Sequence, residues 1–333
     1  MAKTFPFIDH SLNAPVPDEH QRGVLAIGNF DGVHLGHQVV IAEALKLARA
    51  NNAPCHVLTF EPHPRTLFKP QSPVFRLTPA DMKSKVLNAF GVDGVLVLPF
   101  DRELASTSAD EFVDEFLCKR ARTSHVITGF NFLFGKDRQG TPEFLKKAGQ
   151  QRDFGVTIVE AHADAGGEPV SSSRIRRLLG AGDVSAANRL LGYRWCVGGE
   201  VIKGAQIGRT LGYPTANLSL PASNHLAHGI YAVRMRLPDG SLRDGVASHG
   251  RRPTFDDGEA LLETFVFDFD GDLYGKPVQI SLFEHLRAEQ KFDNVDDLVK
   301  QMRLDEDRAR NVLANAEPLS ELDRAMTFSG MIS

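Results

Sequence analysis

Two histidines three residues apart close the stretch Gly28-Asn29-Phe30-Asp31-Gly32-Val33-His34-Leu35-Gly36-His37. An apolar run, 24–27, precedes it, and an amphipathic stretch with Val40, Ala44, Leu47 and Ala48 follows. That order is a strand, a glycine-punctuated turn and a helix start. Residues three apart share one helix face, and backbone N–H groups with the helix dipole favour an anion at that end. The chemistry this predicts is phosphate handling. His34 and His37 would hydrogen-bond a nucleotide's phosphates and stabilise charge on a pentacoordinate phosphorus and on departing pyrophosphate. The competing accounts are solvated cap histidines or two metal ligands, and for a metal only Asp31 is near in sequence as a third.

Three more segments of the first half bear on chemistry. Thr59-Phe60-Glu61-Pro62-His63-Pro64-Arg65 leaves a strand end through prolines that cannot continue it, as a pocket wall or a plain proline loop. Gly129-Phe130-Asn131-Phe132-Leu133-Phe134-Gly135-Lys136 has glycines that permit close backbone approach. Its phenylalanines either face a flat ring or fill the core. Ser171-Ser172-Ser173-Arg174-Ile175-Arg176 sets hydroxyls and guanidinium groups at a helix start, an anion clamp. Taken alone it reads as an ordinary N-cap with a solvated basic face.

In the second half, Gly208-Arg209-Thr210-Leu211-Gly212-Tyr213-Pro214-Thr215-Ala216-Asn217-Leu218 predicts a tight, irregular turn running into a strand. Thr215 and Asn217 then present oxygens on one side, which suits a magnesium ion that keeps several waters. A proline turn before an edge strand is the alternative. Further on, odd positions carry Leu261, Phe265, Phe267 and Phe269 with Glu263 among them. Period-two geometry puts this carboxylate in an inward apolar row, where it must be paired or used. Glu263 is therefore expected as a general base taking a proton from a hydroxyl, unless the register leaves it at a solvated strand end.

The elements that must position these groups follow from patterning. Runs at 24–27, 56–60, 94–99 and 125–128 read as buried strands, and 39–50, 82–90, 110–120 and 141–151 as helices between them. Such alternation predicts a parallel sheet covered on both faces, with ligands at the carboxyl ends of its strands. A helical patch, 172–191, ends this half. From Trp195 onward strands dominate: 230–237 alternates with Tyr231, Val233, Met235 and Leu237 on one face, and 261–269 and 277–283 supply more. A small antiparallel barrel is favoured over a sandwich. Asp293-Asn294 caps a terminal helix with Val295, Leu298 and Met302 on one side. The domains are expected at 1–186 and 187–333.

The 333 residues exceed what one core usually spans, and the net charge of −4 offers no basic excess for nucleic acid. Cys55, Cys118 and Cys196 are scattered without a CxxC pair, which fits a reducing cytoplasm. No signal-peptide pattern opens the chain and no apolar run is long enough to span a membrane.

Together these segments resemble the prokaryotic bifunctional riboflavin kinase/FMN adenylyltransferase family, from about residue 24 to about 310. GNFDGVHLGH, TFEPHPR, GFNFLFGKDRQG and SSSRIR are similar to its nucleotidyltransferase module. GRTLGYPTANL, RRPTF, the Glu263 strand, FDGDLYG and RAEQKFDNVDDLVKQM are similar to its flavokinase barrel. The resemblance implies an α/β nucleotidyltransferase with a Rossmann-like parallel sheet of the HxGH type. A small antiparallel β-barrel flavokinase domain with a C-terminal helix would follow. It also implies two reactions: ATP phosphorylates riboflavin to FMN, then FMN attacks a second ATP to give FAD and pyrophosphate. Glu263 would be the kinase base, with Thr215 and Asn217 at its Mg2+ and Gly208, Gly212 and Thr215 in its phosphate loop. His34 and His37 would hold ATP phosphates in a loop shaped by Gly28, Phe30 and Gly32. Asn131 would lie near the nucleotide or flavin, and Ser172, Ser173 and Arg176 near the triphosphate. The expected partners are riboflavin, FMN, FAD and ATP, with no nucleic acid and no membrane. The segment Ser248-His249-Gly250-Arg251-Arg252 departs from the Asn-Ile-Gly-like pattern usual there, Ser173 replaces a commoner threonine, and Lys203 stands where histidine is frequent. A chain with one active half, or a flavin-responsive binding protein on this scaffold, are the alternatives.

Overall fold

The computed structural model describes residues 7–9, 16–204, 208, 211–251 and 260–330. The chain divides into two compact units, Met1–Val74 with Thr78–Ser171, and Phe75–Leu77 with Ser172–Ser333. Arg209, Thr210 and most of the RRPTF motif lie outside the described residues.

In the first unit six strands run parallel: β1 (Phe7–Asp9), β2 (Val24–Ile27), β3 (Cys55–Glu61), β4 (Gly94–Pro99), β5 (His125–Gly129) and β6 (Gly155–Val159). Their order is β1-β4-β3-β2-β5-β6. Strand β2 sits centrally and all four of its residues are buried, as a continuous apolar run in a covered sheet requires. The chain builds outward from β2 through β3 and β4 on one side and through β5 and β6 on the other. The order therefore reverses between β2 and β5, the crevice where open α/β sheets bind ligands.

Helix α1 (Leu35–Ala50) buries Val40, Ala44 and Ala48 of the expected stripe, with Ile41 and Leu45 beside them, whereas Leu47 is only half-buried. The helices α2 (Pro64–Phe68), α3 (Ala80–Phe90), α4 (Arg102–Ser106) and α5 (Ala109–Phe112) follow. Gly91 ends α3 in the left-handed region at φ +98°, where a side chain would be strained. The single helix expected over 110–120 is in fact α5 followed by a π-helix, Val113–Arg120. Helix α6 (Pro142–Arg152) starts with Pro142 and the Thr141 hydroxyl accepting from Phe144 N–H at 3.2 Å.

The second unit opens with α7 (Ser172–Gly180) and α8 (Val184–Leu191). The Asn188 amide on α8 donates to Leu282 O at 2.9 Å, and Trp195 Nε1 donates to Leu77 O at 2.8 Å. Segment 75–77 thereby belongs with this unit although it is remote in sequence. Six antiparallel strands form its sheet: β7 (Cys196–Glu200), β8 (Thr215–Ser219), β9 (Gly229–Arg236), β10 (Leu242–Arg251), β11 (Ala260–Val266) and β12 (Pro277–Arg287). The order is β7-β12-β9-β10-β11-β8. A bridge between Ile202, just past β7, and Asn217 on β8 brings the two edge strands together into the expected barrel. Tyr231, Val233, Met235 and Leu237 are all buried, as their alternation predicts.

The C-terminal helix, Val295–Ala314, is capped by Asn294 Oδ1, which accepts from Asp297 N–H at 2.9 Å. Its packed stripe begins later than expected. Val295 is exposed, Leu298 and Met302 are half-buried, and Asp305, Ala309 and Leu313 are buried. The polar Asp305 sits there because Arg287 and Gln301 both donate to it. A pattern search for apolar residues passes over that position.

Candidate active sites

The turn 28–34 links the central strand β2 to α1 beside the sheet's reversal point. Three of its residues, Phe30 (φ +46°), Gly32 (φ +88°) and Val33 (φ +36°), are left-handed, which is costly for side-chain-bearing residues and must be held by the surroundings. One clamp is Asp31, whose buried carboxylate accepts from Thr78 N–H at 3.0 Å, while Gly32 N–H donates to Thr78 Oγ1 at 2.8 Å. Asp31 is thus a brace for the turn and not the local third metal ligand. Among the described residues no group of three or more His, Cys, Asp or Glu side chains is arranged to hold a metal.

His34 is the N-cap of α1: its Nδ1 accepts from His37 N–H at 3.3 Å. A ring nitrogen that accepts carries no proton, so the capping form of His34 leaves Nε2–H as its donor. The His37 ring stacks on it with centroids 3.6 Å apart and planes 17° apart, and Phe30 meets His37 edge-on at 5.3 Å. Burial, then the neighbouring His34, then Lys83 hold the His37 imidazole well below its ordinary range. His37 Nδ1 is buried without a hydrogen-bond partner among the described residues. A neutral ring with an unused polar atom at a helix N-terminus is suited to an oxyanion ligand. Gly28 packs under Phe30, where a Cβ would come within 3.0 Å of the ring.

Asn131 is exposed just beyond β5, the strand paired with β2 through Ile27 and Thr128. Of the phenylalanines around it, two take the core role. Phe132 and Phe134 stack in the core at 5.5 Å, and Phe130 is exposed. An open surface pocket of about 280 Å³ is lined by Leu67, Phe68, Arg102, Ala105, Ser106 and Lys136, among others. Ser172 and Ser173 begin α7, and Arg176 on the same helix donates through Nε to Phe75 O at 2.6 Å. These three residues belong to the second compact unit, so their part in a triphosphate site stands on the motif alone.

In the barrel, β8 and β11 pair with Asn217 opposite Glu263 and Thr215 opposite Phe265. Directly opposed residues point to the same face of a sheet, so Thr215, Asn217 and Glu263 share one face. The Thr215 hydroxyl lies 3.5 Å from Asn217 Oδ1, and Asn217 is buried beneath Gly204, where a Cβ would clash with its amide at 2.3 Å. Two neutral oxygens this close fit magnesium, which takes few protein ligands and the remainder from phosphates and water. Gly208 O accepts from both Leu211 N–H and Tyr213 N–H at 3.0 and 2.8 Å, and Gly212 takes φ +83° to turn the chain. Glu263 is half-buried in mid-strand, not at a solvated end. It does not lie in the inward row expected for it. Leu262, Thr264 and Val266 are the buried row, in register with Ala247 and Tyr231 through Thr264, and β11 ends before Phe267 and Phe269.

Sequence reasoning missed Lys83. It is only 2 % exposed and lies on the buried stripe of α3 with Met82, Val86 and Leu87. A lysine at helical spacing within an apolar stripe was the available signal.

The chain matches the family model described as FAD synthetase over residues 16–174 and that described as riboflavin kinase over 191–313. It is 36% identical to the bifunctional riboflavin kinase/FMN adenylyltransferase of Escherichia coli K12, covering 89% of this chain and 94% of that protein. The relative of the same description from Listeria monocytogenes is 37% identical, over 88% of this chain and 93% of its own. A crystal structure described as a macrolide-efflux protein from Streptococcus pneumoniae superposes with a TM-score of 0.81 at 33% identity, covering 92% of this chain and 99% of that one. With both models matched in chain order and a relative of that description 36% identical over 89% of the chain, the chain belongs to the bifunctional riboflavin kinase/FMN adenylyltransferase family.

Proposed function

We propose that this chain makes FAD in two ATP-dependent steps, phosphorylating riboflavin in the barrel and adenylylating the resulting FMN at the glycine turn. The observation that carries the reading is the Asn217–Glu263 register pair with Thr215 on the same face, in a chain whose other unit has stacked His34 and His37 at the N-terminus of α1. We set the functional boundary at 186/187, within the interval between the two family matches at 174 and 191.

In the kinase step Glu263 takes the proton of the ribityl 5′-hydroxyl as that oxygen attacks the γ-phosphorus of ATP, and ADP leaves. Thr215 and Asn217 would hold Mg2+, which when bound neutralises charge on the phosphates. Gly208 and Gly212 shape the loop beside them, with Thr215 at its end. In the adenylyl step the FMN phosphate attacks the α-phosphorus of ATP, and the bond to pyrophosphate breaks. His34, His37 and the first N–H groups of α1 meet the charge that gathers there, with Ser172, Ser173 and Arg176 on the triphosphate and Asn131 near nucleotide or flavin. No covalent enzyme intermediate is needed, because positioning and electrostatics suffice. The free thiols of Cys55, Cys118 and Cys196 support a cytoplasmic location. Among the described residues no helix is long and apolar enough to cross a membrane.

The test is a chromatographic time course with riboflavin, ATP and magnesium. FMN appearing first and then converting to FAD is the expected result. FMN alone would contradict the adenylyl half, and flavin binding without turnover would replace the enzyme by a binding protein.

A further inference from the structure

Beneath the glycine turn lies a buried cation that the two-step mechanism leaves unused. The Lys83 ammonium donates to Asn29 O at 2.9 Å, Thr59 Oγ1 at 3.0 Å and Glu61 Oε1 at 2.8 Å. Thr59 Oγ1 also donates to Asn29 O at 3.0 Å. An ammonium has three N–H donors, and here three acceptors take them, so Lys83 reaches no phosphate without breaking this set. A lysine this deeply buried is tolerable only when paired and hydrogen-bonded, which Glu61 and its neighbours provide.

The three acceptors identify what the cation does. Asn29 begins the turn after Gly28, whereas Thr59 and Glu61 stand at the carboxyl end of β3, next to β2 in the sheet. The ammonium therefore ties the near side of the turn to the sheet, as Thr78 ties its far side through Asp31 and Gly32. The left-handed Phe30 lies between the two ties, Gly32 is itself held by the far one, and the left-handed Val33 follows directly. We propose that Lys83 is a positioning residue of the adenylyl-transfer site. By holding the Asn29 carbonyl against Thr59 and Glu61, it fixes the turn that presents His34 and His37 to a triphosphate. This rests on the adenylyl-transfer reading of that turn.

The charge has a second effect. His37 faces His34 from its own helix and Lys83 from α3. Glu61 on β3 lies beyond Lys83 as its counter-charge, and Asp31 in the turn is held by Thr78. Burial and then His34 oppose protonation of His37, and Lys83 adds to them. Removing the lysine should let His37 protonate at higher pH. Removing only Glu61 leaves the cation uncompensated and should push His37 protonation lower still.

The experiment measures FMN adenylylation and follows the His37 ring resonances by NMR against pH in the full chain, for wild type, Lys83→Met, Lys83→Arg and Glu61→Gln. For Lys83→Met we expect a rise of about tenfold or more in KM for ATP in the adenylyl step, with kcat less affected. Its acid limb and its His37 titration should both move to higher pH, and Lys83→Arg should restore part of each. Glu61→Gln should move the His37 titration the opposite way, which a merely structural role would not do. An unchanged KM and titration in Lys83→Met would overturn the proposal. If Lys83→Met unfolds the first unit, with riboflavin phosphorylation on the same chain as the control, Glu61→Gln decides: a titration that stays put or rises overturns the proposal. A wild type that forms no FAD would instead sink the adenylyl reading, while the NMR titration still reports the effect of Lys83 on His37.

Discussion

Asn217 on β8 and Glu263 on β11 stand directly opposite one another in an antiparallel ladder, 46 positions apart in sequence by subtraction of their numbers. The pairing puts an amide oxygen, a carboxylate and, two residues before the amide, the Thr215 hydroxyl on one sheet face. The carboxylate proposed as the general base is thereby fixed beside the Thr215 and Asn217 oxygens.

Replacing that base separates the two activities. Glu263→Gln keeps the shape and removes the proton acceptor, so riboflavin phosphorylation should fall about 100-fold to 10,000-fold. Adenylylation of supplied FMN should be retained, because that chemistry uses none of the barrel's groups. Assaying each half-reaction separately checks this, and loss of both in a folded variant would defeat the division of labour.

The reciprocal variant is His37→Ala. It removes the half-buried ring stacked on His34, and FAD formation from FMN should drop about 100-fold to 1,000-fold, as when one oxyanion donor is lost. FMN formation from riboflavin should continue at the wild-type rate. Equal losses in the two steps would mean that His37 supports the whole chain and not one site.

The far clamp of the turn makes a stability prediction. Thr78→Val deprives Gly32 N–H of its acceptor and the buried Asp31 carboxylate of one donor, though Thr78 N–H still serves it. An unmade buried hydrogen bond costs about 1–3 kcal/mol, so unfolding of the first unit should shift by that amount. The KM for ATP in the adenylyl step should rise with it. Stability lost without any change in KM would mean that Asp31 and Thr78 serve packing alone.

What the sequence made legible was local. The β2–turn–α1 passage reads directly because a four-residue apolar run, glycines and helical spacing adjoin one another. The strand-rich second half and its barrel are likewise legible from the alternation at Tyr231, Val233, Met235 and Leu237. What escaped depends on distant partners. Strand β1 is three residues long and β6 is only half-buried, so neither has a strong pattern of its own. The parity that Glu263 shares with Phe265, Phe267 and Phe269 points it to the inward row, yet β11 ends at Val266 and the even row is the buried one. The Asp305 position on the terminal helix is polar because Arg287 reaches it from β12. Segment 75–77 joins the second unit through hydrogen bonds from Arg176 and Trp195, about a hundred residues away.

A histidine pair gives the first unit its own pH dependence. His20 Nδ1 lies 3.1 Å from His56 Nε2, and His56 is buried on β3. Burial first, and then His20, lower the His56 pKa from its ordinary 6.5 to about 4, against a smaller opposing pull from Asp93. For a histidine held neutral in the fold, the unfolded chain binds the proton first. Stability is therefore complete above about pH 6.5 and is lost as pH falls from there towards about 4. The lowering corresponds to roughly 3 kcal/mol. Thermal unfolding of the first unit should show a midpoint that falls across this window. His56→Gln, which cannot titrate, should flatten the slope without abolishing it, because His37 and His125 are lowered by burial in the same direction. A variant with the wild-type slope would show that the His20–His56 contact does not hold this proton off.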